Sequence, residues 1–166
     1  MAVTDRRPTG PLRIALRAPI LLYRTGLGIL AGHRLLYIAH QGRRTGLRRE
    51  TVAEVVGYDP GRREVVVVAA WGRNPDWYQN LRAAPALEVR LGAHRWVRPE
   101  QRFPGGAETS RILLAYRDRH PRAWKHIAPI LGFPTEPTDP RWPAVAESVH
   151  AVAFRPRDDA GADPAD

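Results

Sequence analysis

Apolar residues recur at helical spacing over residues 11–31, PLRIALRAPILLYRTGLGILA. Leu12, Leu16, Ile20, Tyr23, Leu27 and Leu30 share one stripe, and Arg13, Arg17 and Arg24 share a neighbouring one. This predicts an amphipathic helix that Pro19 breaks or kinks. Such a helix either packs on the domain or lies on an anionic membrane surface. From residue 34 the period shortens. RLLYIAHQ (34–41) and RETVAEVVGY (49–58) read as the two strands of a hairpin around GRRTG. DPGRR is a second turn, and EVVVVAA (64–70) is the continuous β-branched run of a strand buried on both faces. Further strands are expected at ALEVRL (86–91), HRWVRPEQRF (94–103) and HAVAFRP (150–156).

Helical segments interrupt these strands. WGRNPDWYQNLRAAP (71–85) reads as a short helix with Asn74 as its cap, Pro75 at its first position and Pro85 as its stop. GGAETSRILLAYRDRH (105–120) reads as a longer helix, and PRAWKHIAPIL as another. The expected fold class is mainly β with helices (α+β). Its six or so short strands, paired antiparallel through adjacent hairpins, most easily close into a small barrel. The chain of 166 residues has the length of one domain. The expected organisation is an unstructured stretch at 1–10, the amphipathic helix at 11–33, the barrel at 34–156 and an acidic tail at 157–166.

Charge adds a question to this picture. The net charge is +9, and arginine supplies 25 of the 26 basic residues, Lys125 being the one lysine. The tail RDDAGADPAD carries about −3, which leaves about +12 on the rest. Arginine favours bidentate recognition of planar anions over point-charge contacts. Four arginines fall within QGRRTGLRRE (41–50): Arg43, Arg44, Arg48 and Arg49. Such crowding is either a solvated turn or a seat for an anion.

Several chemistries are excluded by what is missing. Without cysteine there is no disulfide, thiolate nucleophile or Cys-type metal site. The histidines do not fall at ligand spacing, so no metal is expected. GLGILAG, at 26–32, ends a helical pattern instead of following a strand, so it is not a dinucleotide loop. Neither Ser110 nor Ser148 lies in a nucleophile motif. Neither a signal peptide nor an apolar run of membrane-spanning length is expected, which points to a cytoplasmic location. With no evident nucleophile or base, a cofactor is expected to carry any chemistry.

Three segments stand together: GRRTGLRRET, the strand end VVAAWG, and NPDWYQNLRAAP. In these the chain resembles the deazaflavin-dependent nitroreductase family, also called deazaflavin-dependent quinone reductases. That family shows GRKTG with a following arginine, then a strand and a glycine loop, then NPxWYxNLxAxP. The counterparts are Gly42–Arg43–Arg44–Thr45–Gly46, Arg49, the stretch from Ala69 to Gly72, and Asn74–Pro75 through Pro85. The resemblance runs from about residue 34 to 103 and more loosely to 155.

The resemblance implies a split β-barrel of the flavin-reductase type. It also implies binding of coenzyme F-420, an 8-hydroxy-5-deazaflavin with a phosphodiester and an oligoglutamate tail. Arg43, Arg44 and Arg49 would take the phosphate and tail. Thr45 would support the turn or add a hydroxyl contact. Thr51 would lie beside the ring, Ala69, Ala70 and Trp71 would border it, and Gly72 would let the backbone approach. Trp77 and Asn80 would close the site from the inserted helix. The implied activity is hydride transfer from the reduced coenzyme to a quinone, nitroaromatic or other electron-poor acceptor, with no metal. The chain departs from the family at Arg44, where lysine is usual, and in its short loop WGRN, where Trp71 replaces a small residue. Tyr116 is a loose counterpart of the family's substrate-side tyrosines. The residues leave two other readings open: a flavin- or haem-binding barrel, and a basic binder of nucleic acid or anionic lipid. Nucleic acid is not expected, because the arginines gather at one turn and the aromatics lie elsewhere. If the 11–31 helix touches lipid, the protein would sit peripherally at the inner membrane face. The oligomeric state is left open.

Overall fold

A computed structural model describes residues 32–69, 75–134, 136 and 138–157. The expected helix over 11–31, the stretch 1–10 and most of the acidic tail lie outside the described residues. Of the range 11–33, Gly32 and His33 form a turn leading into the first strand, with Gly32 at φ +52°.

The order of elements is β1 (Leu35–Gln41), β2 (Arg48–Asp59), β3 (Glu64–Val68), α1 (Asp76–Ala83), β4 (Glu88–Leu91), β5 (His94–Val97), β6 (Glu100–Arg102), α2 (Gly106–Arg119), α3 (Pro121–Leu131), α4 (Trp142–Ser148) and β7 (Ala151–Arg155). The strands form one sheet in the order β5-β4-β1-β2-β3-β7-β6, and every pairing is antiparallel. The long strand β2 belongs to both halves of this curled sheet, pairing with β1 on one side and β3 on the other. This is the expected split barrel with one strand more than the sequence pattern gives. The stretch 94–103 is divided because Arg98 adopts φ +48° and Pro99 has no N–H to offer a ladder. The short helix α4 was not expected either.

Period-two alternation sorts the side chains. Leu36 and Ile38 of β1, Val55 of β2, Val65 and Val67 of β3, Val89 and Leu91 of β4, Trp96 of β5, and Val152 and Phe154 of β7 fill the barrel interior. Val56, Val66 and Val68 point outward and are covered by Leu113, Tyr116, Trp124, Phe133 and Trp142 from the helical layer. β3 is therefore buried on both faces, as its unbroken valine run predicts. A bulge between Val55 and Gly57 bends β2. α1 closes one end of the barrel with Leu81, 1% exposed. The Gln101 carboxamide ties this end to β6: it donates to the Leu81 carbonyl and accepts from the Ala86 N–H, both at 2.8 Å.

The start of α1 differs from expectation by one residue. Pro75, extended at ψ 144°, occupies the cap position instead of the first helical one, and no side chain among the described residues caps the helix. Asn74, the expected cap, lies outside the described residues. Among the described residues no helix is long and apolar enough to cross a membrane.

Candidate functional site

The hairpin turn between β1 and β2 is built around two glycines. The Gly42 N–H donates to the Leu47 carbonyl at 2.8 Å, and the Gly42 carbonyl accepts from Thr45 and Gly46 at 3.2 and 2.8 Å. Gly46 has φ +68°, which a side chain would strain. Thr45 supports the turn internally, its Oγ1 accepting from the Leu47 N–H at 3.4 Å.

This turn distributes the four arginines unequally. Arg48 and Arg49 are adjacent on β2 and so leave on opposite faces. Arg48 turns to the outer face, where it meets Glu88 at 3.4 Å and the Tyr37 hydroxyl at 3.4 Å. Arg43 reaches α1: its Nη2 pairs with Asp76 Oδ1 at 3.1 Å and its Nη1 donates to Asn80 Oδ1 at 3.0 Å. The side chains of Arg44 and Arg49 make no hydrogen bond or ion pair with the described residues. Among the described residues, two of these arginines are therefore paired with carboxylates and two are not.

Those two border a cavity of about 410 Å³ between the turn, the start of β2 and α1. Arg43, Arg44, Thr45, Arg49, Thr51, Trp77 and Asn80 all line it. Seven of the eleven residues singled out from the sequence thus converge on one place. Ala69 does not line it; the Ala69 N–H continues the β3 end by donating to the His150 carbonyl at 2.8 Å. Ala70, Trp71 and Gly72 lie outside the described residues. Trp77 is shared between two environments, since it also packs against the barrel interior. Tyr116 belongs elsewhere: it packs under the helices and its hydroxyl donates to Glu54 Oε1 at 2.5 Å, beside a separate cavity of about 230 Å³.

Four lining residues were not among those singled out: His40, Glu50, Asp76 and Gly42, the last read from the sequence only as part of the turn. His40 is 3% exposed and forms part of the floor, directly across the ladder from Arg49. Burial pushes its imidazole below the usual histidine range; a hydrogen bond with the Gln41 backbone opposes this, and the Arg49 charge reinforces it. The signal for His40 was its alternation with Leu36 and Ile38, which places it on the interior face once the strand register is known. Nothing local marks Asp76.

The donor set suits a polyanion with a flat head. Two guanidiniums without partners among the described residues stand at one rim, and Trp77 and Thr51 offer apolar and hydroxyl surface at the wall. A Cβ on Gly42 would come within 2.8 Å of Thr45 Oγ1, so a side chain there would displace the hydroxyl that supports the turn. Among the described residues no group of three His, Cys, Asp or Glu could hold a metal.

A family model described as F420H(2)-dependent quinone reductase matches residues 23–124. No curated protein matches the chain. Among solved structures, one described as an F420-H2 dependent reductase (FDR-A) superposes with a TM-score of 0.50 at 16% identity, covering 75% of this chain and 96% of that one. A structure described as a domain-swapped dimer gives a TM-score of 0.50 at 14% identity, covering 83% of this chain and all of that one. A pyridoxamine 5'-phosphate oxidase-related, FMN-binding protein from Nostoc punctiforme PCC 73102 matches with a TM-score of 0.44 at 14% identity, covering 89% of this chain and 81% of that one.

Proposed function

The chain belongs to the F420H(2)-dependent quinone reductase family, and from that premise we propose that the arginine-rimmed cavity binds reduced coenzyme F-420 and presents it to a quinone. One observation carries this reading: the Arg44 and Arg49 side chains have no hydrogen-bond or ion-pair partner among the described residues and stand at the rim of a cavity that Trp77 and Thr51 help to wall. Arg44 and Arg49 hold the phosphodiester and the acidic tail. Arg43, already engaged by Asp76 and Asn80, holds the turn in place and adds its charge. Thr51 and Trp77 border the ring.

When bound, the reduced deazaflavin supplies the hydride, and with one proton from solvent a quinone becomes a hydroquinone. The side chains contribute placement and exclusion of water. Each charge-assisted contact to the anion is worth about 1.5–3 kcal/mol where it is well ordered. Two of them make affinity dominated by the tail and sensitive to salt. Nitroaromatics are a second acceptor class of the same electron-poor kind.

The test is equilibrium binding of the coenzyme at two salt concentrations, followed by oxidation of the reduced form with a panel of quinones and nitroaromatics. Arg49→Ala is expected to weaken binding by about tenfold or more and to flatten the salt dependence. Unchanged affinity in Arg49→Ala, or no binding by the wild type in dilute buffer, overturns the reading.

A further inference from the structure

We propose that His40, in its neutral form with the proton on Nε2, is a positioning residue: it holds the Asn80 carboxamide, and through Asn80 it holds the arginine turn against α1. The effect on cofactor affinity rests on the functional reading above; the hydrogen-bond chain itself does not.

The inference follows from donor and acceptor counting. Asn80 is 5% exposed, so each of its polar atoms needs a partner. Its Oδ1 accepts twice from Arg43, from the backbone N–H and from Nη1, both at 3.0 Å. Only the oxygen of a carboxamide can receive two donors, so the orientation of the group is settled by its neighbours. The amide nitrogen then faces His40 Nδ1 at 3.2 Å. That nitrogen can only donate, so Nδ1 must carry a lone pair, and the ring proton sits on Nε2.

The chain runs from the buried floor to the exposed rim. His40 belongs to β1, Asn80 to α1 and Arg43 to the turn, and 37 residues separate Asn80 from Arg43 in sequence. Asp76 adds a second tie between Arg43 and α1, but at 65% side-chain exposure it is the solvated one. The Asn80 tie is the part-buried one, and it takes both the backbone N–H and the guanidinium of Arg43. It fixes the Arg43 backbone, and with it the direction in which Arg44 leaves the turn. Guanidiniums fixed before the anion arrives lose less freedom when it binds.

The charged groups around the ring favour the neutral form on balance. Arg43, Arg44 and Arg49 line the same cavity as His40, against the carboxylates of Glu50 and Asp76. A proton added at Nδ1 would oppose two donors, N–H against NH2, and break the chain at its buried end.

The experiment uses the full chain. Nitrogen-15 NMR of the imidazole in the cofactor-free protein is expected to show the Nε2–H tautomer near neutral pH. The Arg43 amide is expected to be protected from hydrogen exchange, and to lose protection as acid titrates His40. His40→Leu removes the acceptor, abolishes that protection and weakens coenzyme F-420 binding by roughly tenfold. His40→Gln, whose Oε1 can accept from Asn80, restores most of both. An Nδ1–H tautomer, retained Arg43 protection in His40→Leu, or coenzyme affinity unchanged in that variant overturns the proposal. Should His40→Leu fail to fold, the wild-type tautomer and Arg43 protection in His40→Gln decide it. Should the wild type not bind the coenzyme, the functional reading falls, and tautomer and amide protection still decide the positioning role.

Discussion

The Asp76 carboxylate lies 3.1 Å from Arg43 Nη2, so a negative charge stands on the wall of a cavity rimmed by cations. Both groups are partly solvated, with side-chain exposures of 28% for Arg43 and 65% for Asp76. The pair therefore adds little to stability, about 1 kcal/mol or less. Its effect on an anion bound in the cavity is expected to be larger, because Asp76 would repel the anion and occupies one arginine.

Asp76→Asn is accordingly expected to keep the melting temperature nearly unchanged while tightening coenzyme binding severalfold at low ionic strength. The gain should shrink as salt rises, since the interaction is screened over roughly 10 Å at 0.1 M. Titration calorimetry at two salt concentrations measures this. Weaker binding in the variant would show that Arg43 needs Asp76 to hold its place.

Glu88 governs stability in acid. The residue is 4% exposed and meets three guanidiniums: Arg95 at 3.0 Å, Arg48 at 3.4 Å and Arg90 in a short contact. Burial alone would raise its carboxyl, but hydrogen bonds from Arg95 and Arg90, with their charges, outweigh this and bring it down to about 2 from an ordinary 4.5. The folded state thus binds this proton less readily than the unfolded chain. The associated stability is fully present above pH 4.5 and is lost as pH falls from 4.5 towards 2. Its size is about 3 kcal/mol at most, because the three arginines are partly hydrated. Glu88→Gln should destabilise the protein at pH 7 and flatten the fall in urea midpoint between pH 5 and 3. A fall as steep as that of the wild type would assign the acid sensitivity to other groups.

Gly106 sets how closely α2 approaches α4. A Cβ there would lie 2.9 Å from Glu147 Cα and 2.8 Å from its Cγ, and the backbone atom cannot swing aside. Gly106→Ala is expected to destabilise by about 1–3 kcal/mol. The neighbouring Gly105 has nothing within 4 Å of an added Cβ and occupies the cap position of α2. Gly105→Ser is expected to be neutral or slightly stabilising. Thermal unfolding of the two variants side by side tests the contrast; equal shifts would refute it.

How much of this was legible in the sequence depends on the range of the interaction. The β-branched run of β3 and the alternation of β1 and β2 act over neighbouring residues, and they gave strands at the right places. The hairpin turn was legible because GRRTG carries its own turn chemistry. The unequal fates of its arginines were not, because Arg43 finds its partners 33 and 37 residues away on α1. His40 was hidden for the same reason: its neighbour Asn80 is 40 residues distant. The division of 94–103 was partly visible in Pro99, but the positive φ of Arg98 depends on where β6 must go. α4 was missed because WPAVAES is too short, at seven residues, to display a helical period.

The two residues that part β5 from β6 have a geometric effect beyond the break itself. β5 and β6 are the outermost members of the seven-strand order, yet Arg98 and Pro99 alone join them. Three Cα steps span at most about 11 Å. A ribbon whose first and last members are leashed this tightly cannot lie flat, so its curl is enforced by chain connectivity as well as by strand twist.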